Sequence, residues 1–156
     1  MTLALAACAS PSTDYPSLAI RDAERLVGVE QESAPPAPLA PIPADVMQQV
    51  GAYQAKASRA DEEFRGTLPR VERTVSAARG SGIASDRWSN AQIALSELDA
   101  LRATTAIALA DLDALYAARA VELERRDAID EARGEVSAIL SRQDTTLNRL
   151  KAQLPQ

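Results

Sequence analysis

Trp88-Ser89-Asn90-Ala91-Gln92-Ile93-Ala94-Leu95-Ser96-Glu97-Leu98-Asp99-Ala100-Leu101-Arg102-Ala103-Thr104-Thr105-Ala106-Ile107-Ala108-Leu109-Ala110-Asp111-Leu112-Asp113-Ala114-Leu115-Tyr116 is the stretch that decides the fold. Trp88, Ala91, Leu95, Leu98, Arg102, Thr105, Leu109, Leu112 and Tyr116 recur in steps of three and four, which lines them along one face of an α-helix. Leu101, Ala108 and Leu115 widen that face. Just upstream, the side chain of Ser85 or Asp86 is placed to accept hydrogen bonds from free amides of the first turn.

The same spacing continues on both sides. From Ala44 to about Ala78, Val46, Val50, Tyr53, Ala57, Ala60, Phe64, Thr67, Val71, Val75 and Ala78 form one narrow seam, with Gln48, Lys56, Arg59, Glu62 and Arg73 off it. Pro69 removes a backbone donor and crowds the preceding turn, so a kink or break is expected between Gly66 and Pro69. Gly80-Ser81-Gly82 then closes this helix and reverses the chain. A third helix carries Ile129, Ala132, Val136, Ile139, Gln143, Leu147, Leu150 and Leu154, with Asp127 and Asp130 expected to cap its start in the manner of a capping box. The turn before it falls within Arg119–Arg126, which lacks glycine and proline. Without a turn there, the second and third helices would fuse into a rod of about 100 Å. Three apolar seams of comparable length favour an all-α fold: an antiparallel three-helix bundle or coiled coil over residues 44–156, in which each seam finds two neighbours.

Composition narrows the chemistry. The 156 residues are 46% hydrophobic but only 3% aromatic, and they contain no histidine. The commonest general base and a preferred zinc ligand are therefore missing together. A net charge of −5, with arginines and acids intermingled, offers no basic field for nucleic acid. Asp111 and Asp113 make a D-x-D pair, but two residues apart on a helix they project about 200° from each other and cannot share a cation. Glu122, Glu124, Asp127, Asp130 and Glu131 are interleaved with Arg125, Arg126 and Arg133 at pairing distances, as on a solvated helix surface. No nucleophile elbow, phosphate loop or zinc-protease motif occurs. The sequence thus points to no catalysis, no cofactor and no metal. Arg102, Thr105 and Gln143 are polar intrusions into apolar seams that either fix helix register or, for Arg102, extend out of the core. Trp88 reads as an end plug for the core or as an anchor for a partner.

Residues 8–43 read as a flexible tether. Pro35, Pro36, Pro38, Pro41 and Pro43 favour extended backbone. Within it, Ser17 follows Pro16 and could cap a short helix that stops at Gly28. That segment is either a docking peptide anchored by Tyr15 and Leu18 or a frayed helix in a linker.

Leu5-Ala6-Ala7-Cys8 holds the only cysteine and matches the lipobox, the signal read by the bacterial lipoprotein signal peptidase. Thiol nucleophilicity is the reason for cysteine at that position. Residues 1–7 are too short for a full leader, so they are expected to be the remnant of a truncated signal peptide with a basic and apolar leader upstream. The lipobox, Tyr15-Pro16-Ser17-Leu18-Ala19, the Pro-rich spacer and Ala108–Tyr116 together resemble small helical lipoproteins of alphaproteobacteria. That resemblance implies acylation of Cys8 and lipid anchoring of the chain. Ala9 stands where aspartate signals inner-membrane retention in enterobacterial lipoproteins, which implies the outer membrane, facing the periplasm. The expected function is a structural or adaptor role in the cell envelope, through a protein partner or self-association of the helices. The alternatives are a periplasmic binding or chaperone-like module with an exposed apolar surface, and a cytoplasmic coiled-coil protein with a chance lipobox.

Overall fold

The computed structural model describes residues 37–155, and Cys8, Tyr15, Leu18 and most of the expected tether lie outside that range. Among the described residues there are three α-helices: α1 (Ala44–Ala77), α2 (Asp86–Val121) and α3 (Asp127–Lys151). Cross-helix pairs fix their directions. Lys56 meets Asp111 and Arg70 meets Glu97, so α1 and α2 run antiparallel. Arg102 meets Asp144 and Arg133 meets Asp113, so α3 runs antiparallel to α2. Gln54 meets Glu135 and Glu72 meets Arg149, so α1 and α3 are parallel. The result is an up-down-up bundle in which every helix packs on the other two.

The seams read from the spacing face inward. Val71, Val75, Leu98, Leu112, Ile129, Val136 and Leu150 are almost completely buried. Each such side chain contributes about 1.5–3 kcal/mol by leaving water. The core has two halves. One joins Phe64, Val71, Val75, Leu95, Leu98, Leu147, Leu150 and Leu154. The other joins Val46, Val50, Ala57, Ala108, Leu112, Ile129, Ala132 and Val136.

Pro69 does not break α1, which runs unbroken through it from Ala44 to Ala77. Phe64 before it and Val71 and Val75 after it are all buried, so continuing the helix anchors three core residues. That gain outweighs a proline penalty of about 3 kcal/mol. At the end of α1, Gly80 takes the left-handed conformation expected of the Gly80-Ser81-Gly82 reversal, with φ 71°. Ser85 caps α2, its hydroxyl accepting from the Trp88 amide at 3.3 Å.

The turn between α2 and α3 exists without glycine. Leu123 adopts φ 56°, and the Glu124 amide donates to the Arg119 carbonyl at 3.0 Å while the Leu123 amide donates to that of Ala120 at 3.3 Å. This is a Schellman closure with leucine where glycine is usual. The capping box expected of Asp127 and Asp130 is absent: the N-cap is Arg126, with no side-chain cap bond. Asp127 and Asp130 lie in the first turn, where their charge suits the helix dipole, and their carboxylates pair with Arg125 and Arg133.

The compact unit begins at Pro38, ahead of the boundary at residue 44. Ala40 forms a parallel bridge with Glu124: its amide donates to the Leu123 carbonyl at 3.2 Å, and the Arg125 amide donates to its carbonyl at 2.8 Å. Ile42 packs on the adjoining half of the core. The last residues assigned to the tether are therefore a strap over the α2–α3 turn.

Candidate functional site

The two halves of the core are separated by a polar layer. Buried there are Asp61 from α1, Thr105 from α2 and Gln143 from α3. The ion pairs place these positions at one level: Lys56–Asp111 and Arg70–Glu97 align position 61 with 106, while Arg102–Asp144 aligns 143 with 103. Gln143 Nε2 donates to Asp61 Oδ1 at 3.3 Å. Asp61 Oδ2 also pairs with Arg65, one turn on, at 3.1 Å. Thr105 bonds back to the Leu101 carbonyl at 3.5 Å, and buried Gln143 Oε1 has no partner. Thr105 and Gln143 are legible as seam residues that break the apolar spacing. Asp61 is not, because it follows Ala60 on the seam edge and only the approach of α3 encloses it.

Arg102 reaches out of the seam. Its guanidinium donates to Asp144 Oδ1 at 2.6 Å and Oδ2 at 3.3 Å, and this hydrogen bonding raises its pKa further above the ordinary arginine value. Asp111 and Asp113 separate as their spacing requires, Asp111 to Lys56 on α1 and Asp113 to Arg133 on α3. The hydrogen bond to Asp113 likewise raises the Arg133 pKa. Both guanidinium groups therefore stay charged at any physiological pH, and neither serves as a proton carrier.

The mixed acidic run straddles the α2–α3 turn and does not lie along a single helix face. Arg119 bridges Glu122 at 2.6 Å and Glu124 at 3.1 Å, and the guanidinium groups of Arg126 and Arg133 sit 4.4 and 4.5 Å from the Tyr116 ring centre. Such cation–π contacts brace the turn. A hollow nearby, about 330 Å³, is lined by Pro41, Ile42, Arg125, Asp127, Ala128 and Glu131 and is open to solvent. Among the described residues no three histidine, cysteine, aspartate or glutamate side chains converge to hold a metal ion. Nor is any helix there long and apolar enough to cross a membrane.

At the opposite end of the bundle, Trp88 is half-buried in the first turn of α2. Its indole N–H donates to the Pro155 carbonyl at 3.2 Å, tying the start of α2 to the residues after α3. The contact is to the chain end and does not add Trp88 to either half of the core.

One feature was missed in the sequence. On the side of α2 away from the core, Ile93, Ser96, Ala100, Ala103, Ile107, Ala110, Ala114, Ala117 and Val121 are all exposed and alternate steps of three and four. Ile93 is 62%, Ile107 53% and Val121 84% exposed, values that mark an outward face and not the margin of the core. At about 100° per residue this second stripe lies opposite the first. No charged side chain interrupts it. The signal was present in the residue spacing, but a helix with an apolar stripe on each side has a weak hydrophobic asymmetry, and the stripe richer in leucine dominated.

No protein-family model, curated protein or solved structure matches the chain.

Proposed function

We propose that this chain is a lipid-anchored protein of the cell envelope, without catalytic activity, that holds a helical bundle at a distance from the membrane for engagement with another protein. The observation that carries the reading is Leu5-Ala6-Ala7-Cys8, the lipobox around the only thiol in the sequence. Two or more acyl chains at Cys8 would give stable anchoring, since each buried methylene contributes about 0.8 kcal/mol. The residues at positions 9–37 could span about 100 Å when extended, and the compact unit begins directly after them at Pro38. Ala9 supports the outer membrane, periplasmic side, as the destination. The bundle suits a display role because many of its charged side chains are committed to pairs that brace one helix against another.

The test is mass spectrometry of the mature N-terminus from the native cell. Acylated Cys8 as the first residue is expected, and Cys8→Ser should move the protein from the membrane fraction to the soluble one. Recovery of unprocessed chain from the cytosol with a bare thiol would instead support a cytoplasmic helical protein.

The outer face of α2 favours a second reading, a periplasmic binding or chaperone-like module. A client-binding module of that kind should suppress aggregation of an unfolding protein in light-scattering assays. The face is the convex side of one helix, which suits packing against another helix better than enclosing an extended peptide.

A further inference from the structure

We propose that the outer face of α2 is a self-association surface on which a second copy of this chain packs antiparallel, about a two-fold axis at the level of Thr105. This goes beyond the anchoring reading and does not require the lipid.

The sizes of the exposed residues set the register. When two such stripes are apposed antiparallel so that facing positions sum to 210, Ile93 meets Ala117 of the second copy, Ile107 meets Ala103, Ser96 meets Ala114 and Ala100 meets Ala110. Each isoleucine is received by an alanine, and the alanine layers let the backbones approach. Parallel in-register packing would place Ile93 on Ile93 and Ile107 on Ile107, with poorly filled alanine layers between. Close packing without voids or overlap favours the antiparallel form.

Charge along the two rims agrees with that register. The rim toward α1 carries Glu97 paired with Arg70 and Asp111 paired with Lys56. The rim toward α3 carries Asp99 paired with Lys151 and Asp113 paired with Arg133. Antiparallel apposition brings Glu97–Arg70 beside Asp111–Lys56 of the other copy, and Asp99–Lys151 beside Asp113–Arg133. Every acid arrives already accompanied by a cation of its own copy, so the rims meet without bringing unpaired like charges together.

The face extends about 42 Å from Ile93 to Val121. A band about 12 Å wide would bury on the order of 1,000 Å² over both copies, the lower limit for a specific interface. The dimer should accordingly be weak and dependent on concentration.

Sedimentation equilibrium of the full chain carrying Cys8→Ser, which excludes thiol cross-linking, tests this from roughly micromolar to several hundred micromolar. The mean mass should climb from one copy toward two. Ile107→Asp, at an exposed position, should keep the helical circular dichroism spectrum and weaken association by roughly 100-fold or more. In the same background, an oxidised mixture of Ala100→Cys and Ala110→Cys chains should cross-link to each other, and neither should cross-link to itself. A single-copy mass throughout, Ile107→Asp association equal to the parent, or self-linked Ala110→Cys chains would each overturn the proposal.

Discussion

Gln143 and Asp61 form a buried pair that is only partly satisfied. The amide donates one hydrogen bond to Asp61, and its oxygen is left without a donor. Truncating Gln143 leaves buried Asp61 Oδ1 without its donor, at a cost of about 1–3 kcal/mol, whereas replacing both by apolar groups removes the desolvation penalty of the pair. Gln143→Leu alone should therefore lower stability to urea by about 1–2 kcal/mol, and Asp61→Leu with Gln143→Leu should restore or exceed the parent value. A double variant no more stable than the single would show that the two side chains are not coupled.

Among the elements, α1 and the α2–α3 turn show how much local sequence rules can be overridden. Pro69 and the glycine-free turn are two places where local chemistry argues against the structure adopted. In the first, core burial on both sides keeps the helix continuous. In the second, Leu123 takes a left-handed backbone that costs an L-residue about 1–2 kcal/mol. The two hydrogen bonds from the Ala40 strap offset that cost. Pro69 is exposed, so Pro69→Ala would restore an amide donor for the Arg65 carbonyl without disturbing the core. It should raise stability by about 1–3 kcal/mol, read as a higher urea midpoint at unchanged m-value. An unchanged midpoint would mean that α1 already accommodates the proline without strain. The Ser85 cap and the Gly80 reversal were legible because each follows from the chemistry of one residue. The Leu123 turn was not, since nothing in Arg119–Arg126 favours a left-handed residue until residues 38–42 fold over it.

For the whole molecule, the strap makes the bundle longer in sequence than its helices. A fragment spanning residues 38–156 retains the Ala40 bridge and the Ile42 contact, and one spanning 44–156 loses both. Two backbone hydrogen bonds and one half-buried isoleucine are together worth about 1–3 kcal/mol. The longer fragment should be the more stable by that amount in urea unfolding, and its Glu124 and Arg125 amides should exchange more slowly. Equal stability would reduce the strap to an incidental contact. The sequence alone determined the three helices, their inward seams and the separation of Asp111 from Asp113, because each depends on the 3.6-residue period acting within one segment. Only the tertiary structure decided that Asp61 is buried, that α1 passes through Pro69, that Leu123 turns the chain and that a second apolar face of α2 is left uncovered. Those outcomes depend on which surfaces meet once all three helices compete for the same core, and no segment contains that information by itself.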